Sequence, residues 1–391
     1  MTHAGRRWRH EGMRATACLL ALLALAACAS ATSPATTAAR PDTTEHATTA
    51  PLRAARWPEA DALFHQDPRW LGADAAMSID LGDDRTLWLF GDTFVAPGAT
   101  ASQPADRAHA TLVRNSIGVQ QARDPAHARI AFHWRSDERG APTSFFPEAD
   151  GTWFWPGHGV RIGRTLTLFL HAIERTGAGP FDFHSAGWRA IRIDDADAEP
   201  TTWALRVLPT PDTHAHGVVG AAVVVERDHV YAFAVREPGS HAAWLLRWPL
   251  DDFVAGKLTD PEYWGGAQHG FGAHAPASVF ENGATEFSVS RVPGGQTWVQ
   301  VQSHGFGNGP IALRFAPALV GPWSAPREVF HPPEAAGSGV FCYAGKAHPE
   351  LSGADLVVTY ACNATDAAAL LGDSGLYYPR LVRVWLDSAV R

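Results

Sequence analysis

The sequence is poor in lysine, methionine and cysteine, and it has no excess of basic charge. Lys257 and Lys346 are the only lysines among 391 residues, and there are 3 Met and 4 Cys. Lys and Arg together number 32 against 40 Asp and Glu, which gives a formal net charge of −8. Nucleic-acid-binding proteins need a cationic surface, so this balance argues against that class. With 46% hydrophobic and 18% charged residues, the chain is also too apolar to be disordered.

A hydrophobic segment long enough to span a membrane is missing near the N-terminus. The apolar stretch over residues 15–27 is too short to cross a bilayer as a helix. Several arginines precede it, and it ends in Leu25-Ala26-Ala27-Cys28, which is similar to a bacterial lipobox. This pattern predicts a lipoprotein signal peptide over residues 1–27, cleavage before Cys28 and lipidation of the Cys28 thiol. An ordinary signal peptide followed by a chance cysteine is the alternative.

Residues 28–56 are rich in Ala, Thr and Pro and have no periodic apolar pattern. We expect them to form a flexible tether, so that the folded part spans residues 57–391. Ala29, rather than Asp, follows the lipidated position, which favours sorting to the outer membrane in a Gram-negative cell. The sequence therefore predicts an exported, membrane-anchored lipoprotein of the outer membrane or periplasm.

The folded part reads as many short strands joined by turns. Five strand–turn–strand patterns have polar turns near residues 83, 163, 227, 294 and 353, and further strand-like segments lie between them. Five similar units predict an all-β fold, a five-bladed β-propeller, because radial sheets leave few exposed edges. A β-sandwich with long insertions, or two β domains, is the alternative.

Two aspartates flank the first predicted hairpin. In a propeller blade, the start of the first strand and the end of the second lie on one face, so Asp74 and Asp92 should reach the same pocket. Two nearby carboxylates acquire different pKa values, which separates an acid from a nucleophile or base, as glycoside hydrolysis requires. If each aspartate instead caps a turn, the pair has no catalytic role.

The same rule selects polar residues of the other four hairpins. They are His158 with His171 or Glu174, His216 with Arg236 or Glu237, His274 with His304, and Lys346 or His348 with Asn363. Trp153 and Trp155 lie close to His158, and such aromatic rings either stack on sugars or fill the gaps between blades. No HExxH or CxxC spacing occurs, so no metal site or cofactor is predicted. A structural calcium ion in the central channel of the predicted propeller is suggested only by analogy with other propellers.

Two cysteines, Cys342 and Cys362, lie in the predicted fifth hairpin. Their midpoint falls at Ser352-Gly353, in a turn-like stretch, so the two side chains should face each other across the hairpin. Exported proteins oxidise such pairs, and we therefore expect a Cys342–Cys362 disulfide. Two free buried thiols are the alternative.

Several segments resemble a bacterial family of five-bladed β-propellers that is labelled only as a domain of unknown function. They are GADAAMSIDLGDDRTLWLFGDTF, NSIGVQ, FWPGHGVRIG, GPWSAPREVF, YAGKAHPEL and YYPRLVRV, within residues 60–388. In fold, this family is similar to the arabinanase, levansucrase and invertase propellers, and some members are linked to endo-hydrolysis of D-arabinan. The resemblance implies that Asp74 and Asp92 are the catalytic carboxylates, and that Asn115, Trp155, His158, Lys346 and His348 position the substrate. As a first hypothesis, Asp74 is the nucleophile or base and Asp92 the acid.

These observations favour a surface-tethered glycoside hydrolase that cleaves a cell-envelope or furanosidic polysaccharide. A tether suits a polymeric substrate that cannot enter the cell. A non-catalytic glycan-binding propeller is the main alternative, since recognition would use the same pocket. A structural envelope lipoprotein, with the propeller as a docking disc, is a third reading.

Overall fold

A computed structural model describes residues 52–179, 182–213, 217–305 and 309–387. The predicted signal peptide, Cys28, most of the predicted tether and His216 lie outside these residues. The described part is all-β, with three short α-helices. No helix within it has the length and apolar character needed to cross a membrane.

The strands are numbered along the chain. The first ten are β1 (Arg53–Arg56), β2 (Trp70–Ala73), β3 (Met77–Gly82), β4 (Arg85–Phe90), β5 (Thr93–Val95), β6 (Thr111–Val113), β7 (Ser116–Gln121), β8 (Arg129–His133), β9 (Arg135–Ser136) and β10 (Pro142–Thr143). The next ten are β11 (Trp153–Ile162), β12 (Thr165–Arg175), β13 (Phe183–Ile193), β14 (Arg206–Leu208), β15 (Val218–Glu226), β16 (His229–Val235), β17 (Ala243–Pro249), β18 (Glu262–Trp264), β19 (Phe271–Gly272) and β20 (Ser278–Phe280). The last are β21 (Ser288–Arg291), β22 (Trp298–Ser303), β23 (Ile311–Ala316), β24 (Arg327–Phe330), β25 (Val340–Ala347), β26 (Leu356–Ala364) and β27 (Arg380–Trp385).

Short helices occupy the connections between strands. The α-helices are α1 (Pro58–Asp61), α2 (Leu250–Val254) and α3 (Ala367–Gly372). The 3-10 helices are Ala62–His65, Arg107–His109, Pro200–Thr202, Pro333–Ala336 and Pro349–Leu351.

Five antiparallel sheets succeed one another along the chain. Sheet 1 contains β3, β4, β7 and β8, sheet 2 contains β11 to β14, and sheet 3 contains β15 to β20. Sheet 4 contains β21 to β24, and sheet 5 contains β25 to β27 together with β1. Strands β2, β5 and β6 form a small separate sheet, and β9 pairs with β10. Each of the five predicted hairpins forms the first two strands of one large sheet.

The turn of the first hairpin shows how the sequence specifies the register. Asp83 and Asp84 both adopt positive φ, at 50° and 55°. Positive φ at both central residues is the geometry of a type I′ turn, which matches the twist of antiparallel strands, and Asp tolerates it better than most residues. The turn pairs Ile79 with Leu87, and both side chains are buried.

The N-terminal strand β1 completes the last sheet. Arg53 lies opposite Trp385 and Arg56 opposite Val382 in an antiparallel ladder with β27. These four residues belong to the predicted tether, so its boundary at residue 56 is wrong and the folded part begins earlier. Strand β1 is an edge strand with little buried surface, so its sequence RAAR needs no alternation of apolar and polar residues.

The first strands of the five sheets are neighbours in chain order. Strand β3 contacts β11, β11 contacts β15, β15 contacts β21 and β21 contacts β25. Side chains connect the region of β25 in sheet 5 to the region of β3 in sheet 1. The Lys346 ammonium donates to the Ala75 carbonyl, and Ser78 Oγ lies 2.5 Å from His348 Nδ1. The first strands are therefore neighbours in the order β3, β11, β15, β21 and β25, and contacts near β25 lead back to β3.

Cys342 and Cys362 form a disulfide between β25 and β26. The two residues lie directly opposite each other in the ladder, and their Cα atoms are 4.1 Å apart. Both side chains are fully buried. The pairing is the one expected from the hairpin midpoint.

Replacing both cysteines with alanine is expected to lower the free energy of unfolding by about 3 kcal/mol. The disulfide closes a loop in the unfolded chain and so reduces its conformational entropy. The sequence separation is 20 residues. Urea unfolding of the oxidised protein, the reduced protein and the double variant would measure this loss. The reduced protein should match the double variant approximately. Equal stability of the oxidised and reduced wild-type proteins would contradict the prediction.

Candidate active site

A cavity of about 440 Å³ opens where the first strands begin and the second strands end. Its lining comes from strands of sheets 2 and 5, from β5 and β6, and from residues next to the ends of β3, β4 and β21. Its polar and charged lining residues are Asp74, Asp92, Arg114, His171, Arg175, Thr285, Glu286, Tyr343, Asn363, Thr365 and Tyr377. Its apolar lining comes from Phe94, Leu112, Trp155, Phe183, Phe341 and Leu370, among others. The cavity thus combines carboxylates with aromatic surface.

Asp74 lies between β2 and β3 and reaches the cavity with its carboxyl group. Tyr343 Oη donates a hydrogen bond of 2.6 Å to Asp74 Oδ2, and Tyr377 Oη is 3.3 Å from the same oxygen. Burial and the negative charges of Asp92 and Glu286 raise the pKa of Asp74 to about 8, although the two tyrosine hydrogen bonds lower it. Asp74 therefore retains its proton at neutral pH.

Asp92 lies between β4 and β5 and lines the same cavity. Thr93 Oγ1 donates to the Gly91 carbonyl at 2.7 Å, so Thr93, and not Asp92, caps the turn. The Asp92 carboxylate accepts a hydrogen bond from Trp155 Nε1 at 3.0 Å and pairs with Arg114 at 3.2 Å. Burial and, to a smaller extent, the charge of Glu148 raise the pKa of Asp92 above its ordinary value, although Arg114 and Trp155 lower it in part. Asp92 thus has a cation and a donor that favour its charged form, whereas the charges that raise the pKa of Asp74 are those of Asp92 and Glu286.

Glu286 is a third carboxylate in the cavity that the sequence analysis did not select. It lies two residues before β21, the first strand of sheet 4. Burial raises its pKa, and the charge of Lys346 lowers it. The sequence analysis chose polar residues at the start of the first strand and the end of the second strand of each hairpin. This choice would have included Glu286 if the first strand of sheet 4 had been placed correctly. Instead it selected His274, an exposed residue ahead of β20, and His304; neither lines the cavity.

Three of the residues expected to position the substrate do not line the cavity. The Asn115 side chain bonds the main chain of Phe146 and Phe154 and is fully buried. His158 accepts from the Val223 amide at 2.9 Å and lies 3.1 Å from the Ser78 carbonyl. His348 is held between the Ser78 and Thr359 hydroxyls. These side chains link neighbouring strands, because a buried polar group near the centre of the fold must find a partner there.

Lys346 also differs from its expected role, since it is buried behind the cavity wall. Its ammonium donates to the carbonyls of Ala75 and Ala344. Both alanines have positive φ, at 67° and 57°, and each directly follows a residue of the site, Asp74 or Tyr343. Burial lowers the pKa of Lys346 to about 8, although Glu286 and Asp74 raise it. Lys346 therefore holds two strained main-chain segments together.

Trp155 is the one expected substrate-positioning residue that lines the cavity. Its ring lies 4.9 Å from the Phe183 ring, edge to face, while its Nε1 bonds Asp92. His171 lies opposite Trp155 in the β11–β12 ladder and also lines the cavity. Burial lowers the pKa of His171 to about 4, so its ring is neutral. Of the two alternatives for this position, His171 reaches the cavity and Glu174 does not.

The described residues contain one group of three side chains close enough to share a metal ion, which is Glu334 with Cys342 and Cys362. Its two sulfur atoms are joined in the disulfide and are not available as thiolates. In the centre of the fold, both ring nitrogens of His158 face main-chain groups. Within residues 52–179, 182–213, 217–305 and 309–387, no other group of three His, Cys, Asp or Glu side chains is close enough to share an ion.

The family assignment follows from the extent of the match. Residues 59–386 match a family described as "Domain of unknown function (DUF5005)". The chain belongs to this family. The match covers nearly the whole folded part, and the resemblance to a domain of unknown function is thereby confirmed.

Solved structures similar to this chain come from several organisms. A proposed hydrolase from Bacteroides ovatus ATCC 8483 has a TM-score of 0.66 at 16% identity, over 85% of this chain and 90% of that one. An endo-arabinase from Bacteroides thetaiotaomicron VPI-5482 has a TM-score of 0.43 at 11% identity, over 81% and 95% of the two chains. An α-L-arabinofuranosidase from Podospora anserina has a TM-score of 0.42 at 10% identity, over 81% and 91%. A comparison with curated proteins finds no match. The first of these similarities shows that this chain and the Bacteroides ovatus protein share a fold.

Proposed function

We propose that this DUF5005 protein is a glycoside hydrolase that cleaves a cell-envelope or furanosidic polysaccharide, with D-arabinan as one candidate. The observation that carries the proposal is the single cavity that holds Asp74 and Asp92 in different surroundings. Glycoside hydrolysis needs one protonated and one ionised carboxyl group beside the scissile bond. Here burial and neighbouring charges raise the pKa of Asp74 to about 8, and Asp92 has in Arg114 and Trp155 two partners that favour its charged form.

We also propose that the five large sheets are the blades of a five-bladed propeller. The cyclic order of neighbouring first strands and the return from sheet 5 to sheet 1 support this arrangement. The cavity would then lie on one face of the disc, near its axis, where the first strands begin.

In the proposed reaction, Asp74 is the general acid and Asp92 the nucleophile or general base. Asp74 gives its proton to the glycosidic oxygen as the bond from that oxygen to the anomeric carbon breaks. Ionised Asp92 either bonds to the anomeric carbon and is later displaced by a water that gives its proton to Asp74, or takes a proton from the water that attacks this carbon. One water is consumed, and each product gains a hydroxyl group. This assignment reverses our first hypothesis, because the hydrogen-bond partners of Asp92 favour its charged form more strongly.

The other lining residues suit recognition of a sugar. The rings of Trp155 and Phe183 offer apolar surface for the C–H face of a sugar, next to the carboxylates. Glu286 faces the same space, and its negative charge helps to keep Asp74 protonated. Its oxygens are also suited to accept hydrogen bonds from sugar hydroxyls.

The proposal includes export and anchoring through Cys28, with residues 28–52 as the tether. The lipobox-like motif supports the anchor, and the composition of the tether supports its flexibility. An anchored enzyme would act on polymers of the cell envelope or on polymers outside the cell.

The proposed function is tested by incubating the purified protein with a panel of envelope and plant polysaccharides, including D-arabinan, and measuring released reducing ends. Release by the wild-type protein but not by Asp74→Asn would support it. Binding of a polysaccharide without release would instead support the non-catalytic glycan-binding propeller. Neither binding nor release from any member of the panel would count against a carbohydrate function.

Gly91 is a further test of the site, because a side chain there would collide with Asp74. A Cβ atom at residue 91 would lie 2.4 Å from Asp74 Oδ1, closer than real contacts allow. Gly91→Ala should therefore displace the carboxyl group and lower glycan hydrolysis about a hundredfold, the cost of a misplacement of about 1 Å in an active site. Gly98→Ala is the matched control, since a Cβ there meets no atom within 4 Å. Equal activity of the two variants would contradict the placement of Asp74.

A further inference from the structure

Two tyrosines contact the same oxygen of Asp74. Tyr343 is on β25 and Tyr377 lies just before β27, so they approach from different parts of sheet 5. Tyr343 Oη is 2.6 Å and Tyr377 Oη is 3.3 Å from Oδ2. The other oxygen, Oδ1, is next to Gly91, where the absence of a side chain leaves it room. The two oxygens of this carboxyl group thus have different surroundings.

The hydrogen bonds fix which oxygen can carry the proton. Asn363 Nδ2 donates to Tyr343 Oη at 3.4 Å, so the hydroxyl hydrogen of Tyr343 remains for Asp74. Burial and the charge of Asp74 raise the pKa of Tyr343 and of Tyr377 well above the ordinary value, so both tyrosines stay protonated and act as donors. Because Oδ2 accepts from both, the carboxyl proton of Asp74 is placed on Oδ1.

The disulfide anchors both tyrosines. Cys342 directly precedes Tyr343, and Cys362 directly precedes Asn363, so the covalent link fixes the two strands beside the Asn363–Tyr343 hydrogen bond. The Tyr377 amide donates to the Cys362 carbonyl at 2.9 Å. A single cross-linked pair of strands therefore sets the positions of both hydroxyl groups.

We propose that Tyr343 and Tyr377 are positioning residues that hold Oδ2 of Asp74, leaving Oδ1 as the oxygen that delivers the proton to the substrate. The inference rests on the proposed function, in which Asp74 is the acid. As the proton leaves Oδ1, negative charge develops on the carboxyl group, and the two hydroxyls stabilise this charge through Oδ2. Neither tyrosine exchanges a proton with the substrate.

The charged and titratable groups around Asp74 come from four parts of the chain. They are Asp92 after β4, Glu286 before β21, Tyr343 and Lys346 on β25, and Tyr377 before β27. Asp92 and Glu286 raise the pKa of Asp74, whereas the tyrosine hydroxyls lower it. Tyr343→Phe and Glu286→Gln should therefore move this pKa in opposite directions.

The first measurement is the pH dependence of kcat and KM for Tyr343→Phe, Tyr377→Phe and Glu286→Gln. Tyr343→Phe should lower kcat about ten- to a hundredfold, the effect of one hydrogen bond to a charged group, with KM within about twofold. The protonated acid is the active form, so activity falls as pH rises through its pKa. Loss of the Tyr343 donor raises that pKa and moves the high-pH limb upward, and Glu286→Gln moves it downward. Tyr360→Phe is the control, because Tyr360 is buried but bonds Glu334 outside the cavity.

The second measurement is an infrared titration of the Asp74 carboxyl group, with Asp74→Asn as the spectral reference. The carboxyl signal distinguishes the titration of Asp74 from that of Lys346, and the measurement needs no substrate. An upward shift of the Asp74 titration in Tyr343→Phe supports the positioning of Oδ2 by the tyrosines even if no polysaccharide is hydrolysed. In that case the proposed function fails, and with it only the delivery of the proton from Oδ1. The proposal is overturned if the pKa of Asp74 is unchanged or lower in both tyrosine variants. It is also overturned if the high-pH limb of the Tyr343→Phe rate profile lies where that of Tyr360→Phe lies.

Discussion

Asp74→Asn is expected to lower glycan hydrolysis by about a thousandfold or more. The amide has nearly the same shape as the carboxyl group, but it cannot give a proton to the glycosidic oxygen, and general acid catalysis contributes about 10²–10⁴-fold. The two tyrosine hydroxyls can donate to the amide oxygen as they do to Oδ2. The variant should therefore fold and bind glycan like the wild-type protein while releasing almost no reducing ends.

Asp80→Asn is the matched control for this variant. Asp80 is on β3, in the same hairpin, but it is exposed and pairs with Arg123 away from the cavity. Its activity should be within about twofold of wild type, since surface substitutions of this kind have small effects. If Asp74→Asn keeps wild-type activity on the true substrate, Asp74 is not the acid.

Asp92→Asn is expected to have an effect at least as large. The amide carries no negative charge, so it can neither bond to the anomeric carbon nor take a proton from water. Arg114 would also lose its partner and remain in the cavity wall as an unpaired cation. Reducing-end assays should show a loss of about a thousandfold or more, with the high-pH limb of the residual activity moved downward, because the charge of Asp92 raises the pKa of Asp74.

Azide added to Asp92→Ala tests whether the roles of the two aspartates are assigned correctly. The shortened side chain leaves space in which azide can attack the anomeric carbon from the side of Asp92. A glycosyl azide with inverted configuration would support Asp92 as nucleophile or base. A product with retained configuration would assign the acid to Asp92 instead and contradict the assignment made here.

The sequence is sufficient to predict the five hairpins and the meeting of Asp74 and Asp92 in one cavity, because these depend on local patterns. Turn residues such as Asp83 and Asp84 mark a hairpin, and two residues on its two arms must reach one end of it, which brings Asp74 and Asp92 together. The same symmetry argument paired Cys342 with Cys362. Each inference used only the spacing within one hairpin.

Residues whose environment is set by other sheets could not be assigned in this way. His158 and His348 have the polarity of binding residues, yet hydrogen bonds to Val223, Ser78 and Thr359 satisfy them inside the fold. Nothing near them in the sequence reveals these partners. Glu286 was missed because the strand after it, Ser288–Arg291, is only four residues long and its apolar alternation is weak.

Strand β1 affects how the molecule unfolds. Because β1 and β27 share a sheet, neither strand can separate from the fold without breaking the hydrogen bonds between them. Stacked-repeat proteins with two free ends can fray repeat by repeat. In the proposed propeller, β1 and β27 would join the two ends of the ring, and we expect its sheets to unfold together. A fragment that starts at residue 57 would leave β27 with an unpaired edge, a ready template for joining to another copy.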